Sequence, residues 1–178
     1  LPATRPAMTT RTVLILAGPE YEDLELWYPK LRLEEAGYAA PIAGIGDARY
    51  LGKWGYPAAV DTHIRDVDVD ALAGVVVPGG WAPDKLRRIP EVLDCVRRVH
   101  EAGKLVATIC HGPWVLISAR IVRGRTLTST VGIRDDVQNA GATWVNEPVV
   151  TDGNIVSSRV PSDLPAFGAA MVDWLSRH

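Results

Sequence analysis

The sequence contains only two cysteines, Cys95 and Cys110, in 178 residues. Two thiols do not make a disulfide framework. Free thiols suit a reducing compartment, so a cytoplasmic protein is expected. No apolar run is long enough to span a bilayer, and the first ten residues lack the apolar core of a secretion signal. No basic run occurs and the formal net charge is -2, so neither nucleic acid nor a membrane is indicated as a partner. No cluster of residues has metal-ligand spacing, and no cofactor is expected. Residues 1–11 carry no patterned segment; they read as a disordered lead or a cloning remnant.

What is present is ordinary globular composition, 47% hydrophobic and 22% charged, in a length that suits one domain over residues 12–178. Thr12–Ala17 is a short apolar, β-branched run that reads as a buried strand. Leu24, Trp27, Tyr28 and Leu31 follow at helical spacing and predict a core-facing stripe, with the helix stopping at Gly37. Residues 38–44, 52–63 and 75–77 read as strand, turn with strand, and strand. Ile89, Val92, Leu93, Val96 and Val99 mark a second amphipathic helix. Leu105–Ile109 is the next buried strand, and a helix is expected over residues 114–119.

Later elements are shorter: strands over 126–128, 144–151 and 154–157, and a helix over 133–139. Ser162 is expected to cap a last helix whose inner face holds Leu164, Phe167, Met171, Trp174 and Leu175. Alternating apolar strands and amphipathic helices predict an α/β sandwich, its sheet mostly parallel with helices on both faces. Ligands in such sheets bind beyond the carboxyl ends of the strands. Three loops should share that rim: residues 18–23, 78–84 and 110–113.

On the third loop, Cys110 sits between a buried strand and a helix, as in a nucleophile elbow. Helix N–H groups aimed at the sulfur favour thiolate, the reactive form. Cys95, among Val92 and Val99, reads as core packing. His111 can serve as acid or base in the same cleft, or simply bond nearby backbone. Gly79 and Gly80 let backbone N–H groups approach a ligand. Glu20, Glu22, Asp23 and Glu25 crowd the first helix start, where acids suit the dipole. An inward carboxyl beside a thiolate would stay protonated; spacing does not choose between Glu22 and Glu25.

The segment Ala107-Thr108-Ile109-Cys110-His111-Gly112-Pro113 closely resembles the signature of the PfpI family, within the ThiJ/PfpI superfamily. Further matches run in order along the chain: residues 22–29, 52–56, 78–84, 132–136 and 158–164. The resemblance implies a flavodoxin-like α/β sandwich with Cys110 as nucleophile, His111 beside it and Glu25 as the acid bonded to the thiol. Glu22 matches a second acid. It also implies a homo-oligomer in which Asp84 approaches a neighbouring subunit's Cys110, although relatives often carry Glu there. Gly79, Gly80, Trp81, Gly112 and Thr130 are the expected substrate-side residues, with Trp114 flanking the pocket. Several relatives have Tyr where this chain has Thr130.

The expected function is therefore a cysteine-dependent enzyme acting on small reactive carbonyls, as a glyoxalase or deglycase does, or on peptides as an intracellular peptidase. Alternatives are a redox sensor or stress-response chaperone built on an oxidisable Cys110, and an isocyanide hydratase-like lyase. A glutamine amidotransferase is disfavoured, because residues 159–163 contain no His.

Overall fold

In the computed structural model, residues 10–178 are described. The lead expected over residues 1–11 falls outside them as far as residue 9. Arg11 belongs to the fold: its Nη1 donates to the carbonyl of Leu175 at 2.9 Å.

The chain runs β1 (Thr12–Leu16), α1 (Asp23–Glu35), β2 (Ile42–Gly44), β3 (Arg49–Leu51), β4 (Pro57–Ala59), β5 (Thr62–His63) and β6 (Leu72–Val77). It continues through α2 (Ala82–Leu86), α3 (Pro90–Glu101), β7 (Leu105–Ile109), α4 (Pro113–Ser118) and β8 (Thr126–Leu127). The remainder is α5 (Arg134–Asn139), β9 (Thr143–Trp144), β10 (Val149–Asp152), β11 (Ile155–Ser158) and α6 (Leu164–Arg177).

Seven strands form the main sheet in the order β10-β11-β7-β6-β1-β2-β5. Every pairing is parallel except β10 with β11. The three central strands are almost wholly buried, as their unbroken apolar runs require when both faces are covered. Helices α1 and α6 pack together on one face, and α2, α3 and α4 on the other. This is the mostly parallel, two-faced sandwich the alternation predicts and the flavodoxin-like fold the family resemblance implies.

Three expectations need correction. The stripe on α1 faces the core only in part: Trp27 and Tyr28 are half-buried against it, Leu24 and Leu31 are 58% and 56% exposed, and Glu25, Leu26, Pro29 and Leu33 are buried. Periodicity locates a face but cannot say which side of the helix meets the sheet; here the inward face carries a carboxyl because it borders the rim. Ser162 is no helix cap. A 3-10 turn, Pro161–Asp163, precedes α6 and puts Asp163 at the cap position. The single strand expected over residues 144–151 is two, β9 and β10, in different sheets. The face of α6 is as expected, with Leu164, Phe167, Met171, Trp174 and Leu175 all buried.

Candidate active site

Strands β6, β1 and β7 lie at the sheet's centre, so the loops leaving their carboxyl ends converge. Backbone bonds stitch two of them together. Tyr21 and Gly80 form an antiparallel bridge, the Glu22 N–H donates to Gly79 O at 3.1 Å, and the Trp81 N–H donates to Glu20 O at 2.9 Å.

Cys110 ends β7 with φ at +62°, a left-handed conformation that costs a non-glycine residue about 1–3 kcal/mol and persists only when its surroundings hold it. The restraints are visible. The Cys110 N–H donates to Ser158 O and its carbonyl accepts from the Thr130 N–H, both at 3.1 Å. Gly112 completes the elbow, because a Cβ there would lie 2.5 Å from the Val77 carbonyl and against Thr108 Oγ1.

The left-handed turn aims adjacent side chains at each other, so Cys110 Sγ and His111 Nδ1 are 3.4 Å apart. The imidazole lies between Trp81 and Trp114, with both ring centroids 5.0 Å away. The Trp114 indole N–H is tied to Asp136 Oδ2 at 2.9 Å, while Trp81 is half-exposed. Burial, and then the charge of Lys53, lower the His111 pKa and keep the ring neutral.

Glu25 and Glu22 have separate tasks. Glu22 caps α1, its Oε2 accepting from the Glu25 N–H at 3.0 Å. Glu25 is fully buried. Its Oε1 accepts from the Gly79 N–H at 3.1 Å. Its Oε2 has no hydrogen-bond partner, and the carboxyl lies beside Cys110, the two flanking the bare Cα of Gly79. Burial first, and the neighbouring Glu22 charge second, push the Glu25 carboxyl up to about 8. Protonation removes the cost of an isolated buried charge and gives the carboxyl a hydrogen that the nearby sulfur can accept.

The thiol itself departs from the sequence expectation. Burial, and then the Glu25 charge, push Cys110 up to about 12, against the opposing pull of the His111 and Gly80 N–H groups and of Lys53. The dipole of α4, six residues long, does not overcome desolvation. The Glu25 repulsion exists only while that carboxyl is ionised, so acid and thiol titrate as a coupled pair. Of the two glycine N–H groups expected to face a ligand, that of Gly79 is taken by Glu25, and only that of Gly80 is directed at the sulfur.

The fold thus gathers Cys110, His111, Glu25, Glu22, Gly79, Gly80, Trp81, Gly112 and the backbone of Thr130 at one rim. It does not bring Asp84 to the site of its own chain. That carboxylate meets Arg88 at 2.8 Å and Lys85 at 3.9 Å. Cys95 is buried in α3, its thiol pushed up to about 12 by burial first, as core packing predicts. Among the described residues, no three or more His, Cys, Asp and Glu are grouped as metal ligands would be. No helix among them is long and apolar enough to cross a membrane.

Sequence reasoning missed two contributors. Asp23 pins the hairpin of β3 and β4, accepting from the Trp54 and Tyr56 N–H groups at 3.0 and 2.8 Å. Lys53, on that hairpin, is the cation whose charge acts on Glu25, Cys110 and His111. The run Gly52-Lys53-Trp54-Gly55-Tyr56 was the available signal, but only the fold places it beside the rim.

A parallel sandwich bearing a strained cysteine elbow, with a buried acid and a histidine in contact, defines a thiol-centred α/β protein. The chain belongs to the DJ-1/PfpI family, whose sequence model matches residues 11–173. It is 48% identical over 163 residues to a protein named as a deglycase from Thermococcus kodakarensis, covering 92% of this chain and 98% of that one. Over the same length it is 46% identical to Deglycase PfpI of Pyrococcus furiosus, with 92% and 98% covered. Among solved structures, a two-domain Anabaena variabilis protein with DJ-1/ThiJ/PfpI-like and ferritin-like domains matches with TM-score 0.92 and 38% identity. That match covers 94% of this chain and 48% of the longer one. Drosophila melanogaster DJ-1beta matches with TM-score 0.89 and 26% identity, covering 96% and 92%.

Proposed function

We propose that this protein is an enzyme of deglycase or glyoxalase type, in which Cys110 attacks small reactive carbonyl compounds and their adducts. The observation that carries the reading is the contact of a strained, nearly buried Cys110 with His111, beside the buried carboxyl of Glu25. Deglycase-named relatives at 46–48% identity support the same chemistry.

With methylglyoxal, the Cys110 S–H proton passes to His111 Nδ1 as sulfur bonds to the aldehyde carbon, giving a hemithioacetal. The developing oxyanion takes N–H donation at the Gly80 turn. His111 returns its proton to that oxyanion; neutral again, it takes the carbon-bound proton and delivers it to the neighbouring carbon through an enediol, leaving a lactoyl thioester. Water cleaves the C–S bond, lactate departs and the thiol regains its proton. Glu25 remains a protonated donor to sulfur throughout and stabilises it as it becomes anionic.

The contact of Cys110 with His111 favours the catalytic reading over the sensor and chaperone alternatives, which need no base at the sulfur. Two free, buried cysteines suit a cytoplasmic setting. Asp84 fits a role across a subunit interface better than one within its own chain, because its carboxylate is turned outward to Arg88. The test is methylglyoxal consumption with the product identified, alongside Cys110→Ala. Lactate release that vanishes in the variant is expected. Absent turnover in the wild-type protein, or undiminished turnover in Cys110→Ala, overturns the reading.

A further inference from the structure

Among the described residues of the rim, Lys53 and Arg87 lack an acidic partner, and of these Arg87 is engaged by neighbouring side chains. Lys85 and Arg88 are held by Asp84, Arg134 by Asp135 and Arg159 by Asp163. Arg87 lies over the Trp114 ring and bonds Ser118. Among the described residues Lys53 joins no ion pair, and residues 1–9 contain no acid that could supply one.

Its position is fixed by backbone. The Lys53 N–H donates to Tyr21 O at 2.9 Å, and Tyr21 is bridged to Gly80. Lys53 therefore stands across one residue from the turn that faces Cys110. The hairpin beneath it is locked by Asp23, and the fit is close enough that a Cβ at Gly52 would collide with that carboxylate. The ammonium sits 5.6 Å from the centroid of Trp54, a ring 78% exposed. Its charge acts on Cys110, Glu25 and His111 together. No step of the proposed reaction uses it.

The fixed charges around it are carboxylates, Glu22 beside Glu25 and Asp23 under the hairpin, and both would repel an anion. A pocket for neutral aldehydes alone gains little from an unpaired ammonium, whereas an anionic substrate needs one. We propose that Lys53 sets the charge preference of the site, favouring electrophiles that carry a carboxylate beside the reacting carbon, such as 2-oxo acids and other anionic carbonyl compounds, over neutral counterparts of the same size. The inference rests on the reading of Cys110 as the reacting group, and it makes Lys53 a specificity-determining residue.

The test uses two alkylating probes of nearly equal size, anionic iodoacetate and neutral iodoacetamide. In both reactions the Cys110 sulfur bonds to the methylene carbon, the carbon–iodine bond breaks and iodide leaves with the electron pair. The ratio of the two rates cancels the fraction of thiolate and reports the field at the sulfur. Modification of Cys110 is followed by mass spectrometry.

Lys53→Met is expected to lower the iodoacetate-to-iodoacetamide ratio by about three- to ten-fold, as the loss of one charge near a partly buried site predicts. Lys53→Arg should hold the ratio near that of the wild-type protein. The wild-type ratio should also fall as salt rises from about 0.01 to 1 M. An unchanged ratio in Lys53→Met, with Cys110 still alkylated, overturns the assignment of Lys53 and leaves the proposed function standing. Failure of both probes to modify Cys110 at any pH up to 9 would instead remove the reading of Cys110 as a reactive group, and the inference with it.

Discussion

Replacing Glu25 with Gln should change how stability depends on pH, and the size of the change follows from the burial of that carboxyl. In the unfolded chain the group releases its proton near 4.5, whereas in the fold it holds it to about 8. Below 4.5 both states are protonated and the group has no effect on the balance. As pH rises further the unfolded chain ionises and the native protein does not, so the native state loses about 1.4 kcal/mol per pH unit. The loss ends near 8, where the folded carboxyl ionises too, and amounts to about 5 kcal/mol in all. Gln keeps an oxygen for the Gly79 N–H and a donor for the Cys110 sulfur, but does not titrate.

The assay is urea denaturation of both proteins at pH steps from 5 to 9. The difference in unfolding free energy should move steadily in favour of Glu25→Gln up to about pH 8 and then level off. His111 and His100, whose pKa values are lowered mainly by burial, act in the opposite sense. They are common to both proteins and cancel in the difference. A difference that stays within about 1 kcal/mol across the range would refute the protonated, desolvated acid, and with it the account of how the sulfur is held.

Gly79→Ala should be among the more damaging single changes at the rim. Its Cβ would fall 2.7 Å from Cys110 Cβ and into Glu25 Oε1, so a loss of about 1–3 kcal/mol, read by thermal unfolding, should accompany loss of carbonyl turnover; wild-type stability in this variant would contradict the packing. Asp23→Ala leaves the Trp54 and Tyr56 N–H groups without their acceptor and should cost about 1–3 kcal/mol. Hydrogen exchange should quicken at those two amides first, and unaltered protection there would refute the pinning role.

The sheet was legible because its strands are dense and its helices punctuated. Val75–Val77 is an unbroken apolar run and Leu105–Ile109 is interrupted only by Thr108; they end in Pro-Gly-Gly and Cys-His-Gly-Pro, and chain order alone put both turns on one rim. The cysteine elbow and the glycines were legible for the same reason, since each lies within a few residues of a strand end. Helix α1 was misjudged because its inner face includes Glu25, a residue type that hydrophobic patterning assigns to solvent. Lys53 and Asp23 were invisible as a pair because they meet through tertiary packing: a hairpin some thirty residues downstream folds back onto the helix start. The raised pKa of the thiol was likewise hidden, because desolvation is a property of the assembled site and not of the turn that presents the sulfur.

The bond between Arg11 and Leu175 has a practical consequence. It joins the start of β1 to the end of α6, and both lie at the edge of the sheet away from the rim. A tether, reporter or additional module attached beyond either point would project from the far pole of the molecule and leave the cysteine turn unobstructed. This pole is the natural place for immobilisation on a surface.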